Sequence, residues 1–389
     1  MRLLYSFICS VILFLLPVDI FTQNDAIVKS KYNEAEKFNA VSDYANAIPL
    51  FRDLVNIQPD NSNFNFKLAY SIIEAKSTED PIPYLKVATA NVIENYSSNY
   101  KQHFAPAIAW KYLAIEYQLN YSFKKALEAY KNYQIYISEK DYILQNKIKL
   151  QIEYCNSGIE LMKTPMKVHH LDFGQNFTVD FPANSPVLSP DESIYIFATN
   201  NKNTENDQTI VTLDNDIYYT QIDDNGKWSK PMPFTNLNSS NDEAPISITP
   251  DGKQLIIYRN DFGDGNLYYS DLLEEKVWSK PKKFPSTINS SFQETHATIS
   301  ADGKSLYFTS DRDGGFGGLD IYVSHKNSSG VWGEAKNIWS TLNTKYNEES
   351  PHIQANSNIL YFSSDRPTSL GGLDIFRTRL ENDSTCTNT

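Results

Sequence analysis

The chain has 389 residues, a formal net charge of −12 and 41% hydrophobic residues, including 25 tyrosines and 21 phenylalanines. This length and composition are sufficient for two or three packed domains. The negative charge argues against a nucleic-acid partner, because phosphate binding needs clustered Lys and Arg. It also argues against electrostatic docking on an anionic membrane surface.

The N-terminus carries the clearest local signal. A short basic start, Met1-Arg2, precedes the almost wholly apolar run Leu3–Leu16. The run is too short for a comfortable membrane span, so residues 1–22 are interpreted as a secretory signal peptide, with an uncleaved anchor as the alternative. Cleavage would leave two cysteines, Cys155 and Cys386, and Cys155 is expected to be a small buried residue of a helix.

Residues 24–163 are predicted to form a helical domain. Glycine is absent from Asp25 to Asn156, and apolar residues recur at helical spacing. Two stretches, beginning at Ala35 and Ala109, alternate small residues with large aromatic ones. They resemble the tetratricopeptide repeat, a helix pair of about 34 residues, with an ordinary helical bundle as the alternative. Stacked helix pairs would present a concave face to a peptide or a partner domain.

Residues 164–382 are predicted to form an all-β domain. Short alternating apolar runs are cut there by Gly, Asn, Asp and Pro, which is typical of strands and turns. Four units of about four strands follow one another at a period of roughly 50 to 60 residues, the signature of propeller blades. A tryptophan recurs at one equivalent position in three units and is expected in blade packing: Trp228, Trp278 and Trp332. The expected fold class is therefore α+β multidomain, a helical repeat followed by a propeller of about four blades.

The last unit lacks a tryptophan strand, and the segment from Val168 to Phe173 has no unit before it. A strand from this segment would complete the last blade and cover two open sheet edges. We therefore expect four blades closed by the strand near His169-His170, with residues 383–389 as a disordered tail. A ring completed by a partner is the alternative.

Two glycine-rich segments carry a family resemblance. Residues 310–322, SDRDGGFGGLDIY, and residues 364–376, SDRPTSLGGLDIF, resemble the WD40-like PD40 repeats that also occur in TolB-type propellers. From residue 25 to 380, the chain is similar to periplasmic proteins that join such helices and such a propeller to an OmpA-like peptidoglycan-binding domain. One of them belongs to the type IX secretion machinery. An OmpA-like domain is not expected before Thr389, so the resemblance implies partner binding in the cell envelope without that anchor.

The repeated Ser-Asp-Arg triplets form the first candidate site. They contain Asp311, Arg312, Asp365 and Arg366, between an apolar strand and a Gly-Gly turn. The arginines would grip carboxylates or phosphates. In the alternative, which the recurrence favours, the aspartates hold the turn through backbone N–H groups. The spacing of Asp311 and Asp313 matches a calcium loop only in part, and no cofactor and no metal site are predicted.

Glu243, Glu294 and Glu349 form the second candidate site. Each is placed at the entry to the innermost strand of a unit. Rotation about the ring axis would set three carboxylates around one mouth of the central channel, where they would hold a cation or a basic peptide end. Their mutual repulsion would raise at least one pKa. The alternative is that each carboxylate bonds its local turn.

No catalytic motif is evident. The sequence has no G-x-S-x-G, H-E-x-x-H, P-loop or Rossmann pattern, and its six histidines are scattered. It therefore predicts a non-catalytic scaffold, periplasmic or outer-membrane-associated, that binds other cell-envelope proteins or peptides. Neither nucleic-acid binding nor a membrane span after signal cleavage is expected. The alternative is a secreted propeller enzyme acting on carbohydrate or peptide, which would need paired acid and base groups.

Overall fold

The computed structural model describes residues 25–165, 167, 182–203, 209–261, 263–274, 277–355, 357–382 and 385–388. The chain divides into two compact units, Met1–Pro165 and Met166–Thr389. The first is a helical repeat of the tetratricopeptide type and the second a four-bladed β-propeller, which confirms the predicted fold class. The predicted signal peptide, residues 1–22, lies outside the described residues. No helix of the described part has both the length and the apolar character needed to cross a membrane.

Seven helices make up the described part of the first unit. They are α1 (residues 25–40), α2 (Tyr44–Ile57), α3 (Ser62–Glu74), α4 (Ile82–Ala90), α5 (Ala109–Leu119), α6 (Phe123–Gln134) and α7 (Tyr142–Leu161). From α2 onward, each helix packs against the next, as in stacked helix hairpins. A short parallel pair, β1 (Val92–Ile93) and β2 (Ala105–Pro106), lies in the connection from α4 to α5.

Polar side chains determine where three helices begin. The carbonyl or carboxylate oxygens of Asp43, Asn61 and Asp141 accept hydrogen bonds from the backbone N–H three residues later, at 3.4, 3.1 and 3.0 Å. The first N–H groups of a helix have no partner inside it, so these side chains supply one. The starts of these helices are therefore determined by residues close to them in the sequence.

The core of the helical unit sets aromatic rings against alanines. Ala35, Ala47, Phe51 and Phe64 are fully buried in one cluster. The ring of Tyr32 lies between the two phenylalanines, with centroid distances of 6.1 and 5.9 Å. Small residues let the helices approach closely, and the rings then fill the space beside each crossing, as the sequence pattern predicted.

One glycine controls the contact between α6 and α7. A Cβ atom on Gly158 would lie 2.7 Å from ring atoms of Phe123, so a larger residue there would force the two helices apart. Cys155, three residues earlier, is buried as expected. Burial raises the pKa of its thiol to about 12, so this cysteine is a packing residue and not a nucleophile.

Four antiparallel sheets form the described part of the second unit, and each is one blade. Blade 1 contains β3 (Asn184–Leu188), β4 (Ile194–Asn203), β5 (Thr209–Gln221) and β6 (Met232–Pro233). Blade 2 contains β7 (Glu243–Ile248), β8 (Gln254–Asp261), β9 (Asp264–Glu274), β10 (Val277–Trp278) and β11 (Lys282–Lys283). Blade 3 contains β12 (Glu294–Ile299), β13 (Ser305–Ser310), β14 (Asp320–His325) and β15 (Lys336–Asn337). Blade 4 contains β16 (Glu348–Ile353), β17 (Ile359–Ser364), β18 (Asp374–Asn382) and β19 (Thr385–Asn388).

The blades share one register, which defines equivalent positions. The last residue of the first strand pairs with a residue near the start of the second strand: Leu188–Tyr195, Ile248–Leu255, Ile299–Leu306 and Ile353–Leu360. The tryptophans are equally regular, because each pairs with the residue six positions earlier: Ile222–Trp228, Leu272–Trp278 and Lys326–Trp332. Trp278 and Trp332 pack against neighbouring blades, which confirms their predicted role.

An asparagine fastens the connection that leaves each of the first three blades. The amide oxygen accepts from, and the amide nitrogen donates to, the same backbone residue of the third strand: Asn238 to Ile217, Asn289 to Leu267 and Asn343 to Ile321. The side chain thus replaces one rung of a β-ladder. Backbone groups that would lack a strand partner are satisfied in this way.

Blade 4 ends differently from the prediction. Its outer strand is β19, which pairs antiparallel with β18, whereas residues 383–389 were expected to be a disordered tail. The predicted closing strand near His169-His170 lies outside the described residues. The correction has a simple physical basis, because the outer edge of β18 needs a partner strand and the chain immediately following it supplies one.

Deletion of residues 383–389 tests this arrangement. Without β19, the outer edge of β18 would be unpaired, so we expect a lower melting temperature and concentration-dependent aggregation. Scanning fluorimetry and light scattering of the full and shortened chains measure both. If the shortened chain melts like the parent and stays monomeric, β19 is not the structural outer strand, and deletion of residues 168–173 becomes the decisive variant.

The turn from the first to the second strand carries an aspartate in blades 1 to 3. A hydroxyl two residues earlier donates to each carboxylate: Ser189 to Asp191 at 2.5 Å, Thr249 to Asp251 at 2.6 Å and Ser300 to Asp302 at 2.6 Å. These hydroxyl hydrogen bonds are the main reason why the pKa of each carboxyl is lowered. The ionised form is the one that holds the turn.

A lowered folded-state pKa stabilises the fold above the unfolded-state pKa, and this stability is lost as the pH falls through the folded-state pKa. We therefore expect the triple variant Asp191→Asn, Asp251→Asn, Asp302→Asn to be less stable than the parent near pH 7. Its urea midpoint should also fall less steeply on acidification from about pH 5 to about pH 3. Asp224→Asn, in an exposed turn, is the control. A triple variant with the parent's acid dependence would contradict this role.

Candidate functional site

A glutamate recurs at the start of the first strand in blades 2, 3 and 4. The structure identifies these residues as Glu243, Glu294 and Glu348, all fully buried. The predicted set included Glu349 in place of Glu348, and this is corrected by the register. Side chains alternate along a strand, so Glu348 joins the buried network of its blade while Glu349 lies on the other face, half-buried.

The correct residue was detectable in the sequence. Each buried glutamate lies five residues after the asparagine that fastens the connection: Asn238 to Glu243, Asn289 to Glu294 and Asn343 to Glu348. This spacing distinguishes Glu348 from Glu349, although Glu349-Ser350-Pro351 resembles Glu243-Ala244-Pro245. Blade 1 has Ala183 at this position, five residues before Leu188.

In blade 3 the carboxylate of Glu294 has four donors. Its Oε1 accepts from Ser290 Oγ at 2.7 Å, Ser310 Oγ at 2.8 Å and Arg312 Nη2 at 2.9 Å. Its Oε2 accepts from the backbone N–H of Ser290 at 2.9 Å. Arg312 Nη2 also donates to the carbonyl of Ile288. The network therefore joins the incoming connection, the first strand and the end of the second strand.

Blade 4 repeats this network atom for atom. Glu348 accepts from Thr344 Oγ1 and N at 2.7 and 2.6 Å, from Ser364 Oγ at 2.8 Å and from Arg366 Nη2 at 3.1 Å. Arg366 Nη2 donates to the carbonyl of Leu342 at 2.6 Å. The repetition shows that the Ser-Asp-Arg triplet and the glutamate form one unit, although they are separated by about sixteen residues in the chain.

In blade 2 the buried glutamate is also paired with an arginine, but this arginine comes from a different position in the blade. Ser239 donates through both its hydroxyl and its backbone N–H to Glu243, and Arg259 Nε lies 3.0 Å from Oε1. Arg259 occupies the position equivalent to Ser310 and Ser364, directly opposite the glutamate in the ladder. No sequence motif points to Arg259, because blade 2 has no Ser-Asp-Arg triplet.

Both triplet arginines lie between aromatic rings. The guanidinium carbon of Arg312 is 5.1 Å from the ring centre of Phe308 and 4.8 Å from that of Tyr322. Arg366 lies 5.1 Å from Phe362 and 4.9 Å from Phe376. Only 16% of each arginine side chain is exposed. Ring stacking and the carboxylate therefore occupy the groups that an external anion would need.

The triplet aspartates bond backbone N–H groups. Asp311 Oδ1 accepts from the N–H of Gln293 at 2.7 Å, and Asp365 Oδ1 accepts from that of Asn347 at 2.8 Å. Both donors lie in the connection just before the buried glutamate. These contacts support the structural interpretation of the triplet, and a ligand-binding role for Asp311, Arg312, Asp365 and Arg366 stays a prediction.

The three buried carboxylates are each bonded within their own blade and its incoming connection. The pKa of Glu243 is raised mainly by burial, while Arg259 acts in the opposite direction. The pKa of Glu349 is raised by burial first and by Asp365 second. Within the described ranges, no three His, Cys, Asp or Glu side chains come together as a metal site would require. The contacts thus support the local role that sequence analysis kept as the alternative.

A cavity of about 440 Å³ occupies the centre of the propeller. All four blades line it with the C-terminal ends of their first strands and the turns that follow. The lining residues are Pro186, Val187, Leu188 and Pro190 of blade 1, Ile246, Ser247, Ile248 and Pro250 of blade 2, Thr298 and Ile299 of blade 3, and His352, Ile353 and Ala355 of blade 4. We call it the axial cavity, and sequence reasoning did not anticipate it.

The axial cavity is apolar with a few polar groups. Ser247 Oγ donates to the carbonyl of Ala297 at 2.6 Å and so links blades 2 and 3. Partial burial lowers the pKa of His352, which keeps its ring neutral at pH 7. Among the described residues that line the cavity, none is acidic or basic apart from His352. Its volume and lining are those of a binding cavity for an uncharged, mainly apolar group.

Comparisons with known proteins give only distant likenesses. No family model and no curated protein matches the chain. A TolB protein from Agrobacterium tumefaciens is 16% identical over 53% of this chain and 64% of its own, with a TM-score of 0.35. Prolyl oligopeptidase B from Galerina marginata is 12% identical over 53% of this chain and 27% of its own, with a TM-score of 0.36. The Sgt2 TPR domain from Aspergillus fumigatus is 19% identical over 38% of this chain and 89% of its own, with a TM-score of 0.26.

This chain therefore spans 64% of the length of the TolB protein and 27% of that of the peptidase. At such identities and TM-scores the fold assignment rests on the sheets and helices of the chain itself. The likenesses carry no argument about activity, substrate or partner.

A double-mutant cycle at Glu348 and Arg366 tests the buried pair. Arg366→Met leaves a carboxylate buried without its cation, and we expect a loss of on the order of 3 kcal/mol in the free energy of unfolding. Glu348→Gln should also lower the free energy of unfolding, because it removes the charged partner of Arg366. If the three carboxylates repelled one another, the same variant would raise it instead. The double variant should lose less than the sum of the single variants.

Urea unfolding of the four chains provides the measurement, with the exposed Arg377→Met as a control expected to change stability by less than about 0.5 kcal/mol. The interaction between Glu348 and Arg366 would be contradicted if the effects of the two single substitutions were strictly additive, or if Glu348→Gln stabilised the protein.

Proposed function

We propose that this protein is a non-catalytic interaction protein of the cell envelope, and that its propeller binds a segment of a partner protein in the axial cavity. The observation that carries the proposal is the cavity itself, which one strand of every blade helps to line. An apolar cavity with two hydroxyls and a neutral imidazole suits an uncharged peptide segment. The envelope location, and a role beside a secretion assembly, rest on the predicted signal peptide and the family resemblance.

The enzyme alternative needs a nucleophile or an acid–base pair at the cavity. Among the described residues lining it, His352 is the single titratable side chain, and the buried glutamates of blades 2, 3 and 4 are bonded within their own networks. This favours binding over hydrolysis. The experiment below includes a direct check of whether a bound peptide is cut.

A blocked variant tests the proposal. Peptides are selected from a random display library on the full chain, and binding is then compared with His352→Trp, which places an indole inside the axial cavity. Ser328→Trp adds the same ring at an exposed turn and is the matched control. We expect His352→Trp to weaken binding by about tenfold or more and Ser328→Trp to leave it unchanged.

Selected peptides should also remain intact by mass spectrometry after incubation with the protein. Cleavage would favour the enzyme alternative. Equal binding by the parent and His352→Trp would show that the axial cavity is not the site.

A further inference from the structure

A second cavity, of about 400 Å³, lies between blades 3 and 4. We call it the interblade cavity. Its apolar wall is formed by Tyr307, Val323, Ile338, Trp339, Ile353 and Leu380. Polar residues are also part of its lining, among them Ser305, His325, Gln354 and Asn358. It shares Ile353 and Ala355 with the axial cavity, but His352 does not line it.

The equivalent space between blades 1 and 2 is filled by a tryptophan. The shared register gives the counterparts of five wall residues: Ile196 for Tyr307, Tyr219 for Val323, Phe234 for Ile338, Ile248 for Ile353 and Leu272 for Leu380. All five pack in one cluster with Trp278, which is 5% exposed. The indole of blade 2 therefore occupies the space that these positions surround.

The space between blades 2 and 3 is filled in the same way. Ile256, Tyr269, Phe284 and Ile299 are the counterparts there, and they cluster with Trp332. The ring of Trp332 lies 6.2 Å from that of Phe284 in an edge-on arrangement. In two successive interfaces, then, the next blade supplies an indole to the same set of wall positions.

Blade 4 does not supply this indole. The register position of the tryptophan, opposite Leu380, is taken by Cys386 in the ladder of β18 and β19. The wall is also reduced, because Val323 stands where the other interfaces have tyrosine, and Ile338 where they have phenylalanine. Two other wall positions carry larger residues, because Tyr307 stands where the other interfaces have isoleucine and Trp339 where they have Thr235 and Pro285. A cavity remains beside these side chains.

One wall residue has an unusual backbone. Trp339 has a φ of 121°, a region that non-glycine residues rarely adopt. The carbonyl of Trp339 accepts from the N–H groups of Leu342 and Asn343 at 3.1 and 2.8 Å, which holds this conformation. Trp339 is also part of the cavity lining, so an indole is present there to contact a second ring.

We propose that the interblade cavity receives a tryptophan side chain from an extended segment of a partner polypeptide. Tryptophan is the expected occupant because the equivalent wall residues enclose an indole at the other two interfaces. The polar lining residues then provide hydrogen-bond partners for the backbone of the incoming segment. A free aromatic molecule has no such backbone. This site is separate from the axial cavity and does not depend on the proposed function.

Calorimetric titration of the full chain with N-acetyl-tryptophanamide, N-acetyl-alaninamide and a five-residue peptide with a central tryptophan tests the proposal. We expect the peptide to bind more tightly than the tryptophanamide, and the alanine compound not to bind. The variant Val323→Tyr, Ile338→Phe gives these two positions the residues of the other interfaces and reduces the cavity. It should weaken peptide binding by at least about tenfold and melt no lower than the parent.

Val331→Tyr, at a residue that is 57% exposed, is the matched control and should bind like the parent. His352→Trp should also bind the tryptophan peptide normally, which separates this test from that of the axial cavity. The proposal is overturned if the Val323→Tyr, Ile338→Phe variant binds as the parent does, or if tryptophanamide binds no better than the alanine compound. Binding of the free amide but not of the peptide would assign the cavity to a small molecule and likewise overturn it.

Discussion

The propeller depends on a carboxylate that is buried at the start of a blade and paired with an arginine of the same blade. Removing a carboxylate from water costs several kcal/mol, and only a close cation and filled hydrogen-bond positions offset this cost. Glu294 and Glu348 meet both conditions with four donors each. The donors come from the connection and from the end of the second strand, so the pair can form only when both segments are correctly placed against the first strand, which carries the glutamate.

The same pair explains why the surrounding residues repeat. The aromatic residues beside Arg312 and Arg366 shield the guanidinium from water while leaving its edge free to donate. The triplet aspartates bind the connection from the other side, through backbone N–H groups. Nearby, the asparagine at the start of the connection replaces a ladder rung. The triplet residues, for which the sequence also predicts a ligand site, make contacts in the fold that join a blade to its incoming connection.

Packing between blades follows a second rule, with an exception in the last blade. A tryptophan from each later blade covers the wall of the blade before it at the first two interfaces. At the third interface the register position holds a cysteine, and a cavity appears. Repeat proteins often reserve departures from the repeat for function, because the remaining repeats already provide the stability. The axial cavity arises differently, from the four first strands that surround the ring axis.

Local pattern in the sequence was sufficient for the two-unit organisation, the helical repeat, the four blades and the packing role of Trp278 and Trp332. These features depend on periodicity and turn chemistry, which neighbouring residues determine. The arginine of blade 2, the strand at residues 385–388 and both cavities were decided by the tertiary structure, whereas Glu348 in place of Glu349 follows from the five-residue spacing after the asparagine. A shift of one residue reverses which face a strand side chain occupies, and a cavity exists only where separate blades meet. The arginine, the outer strand and the cavities depend on contacts between distant segments, and no pattern along the chain records them.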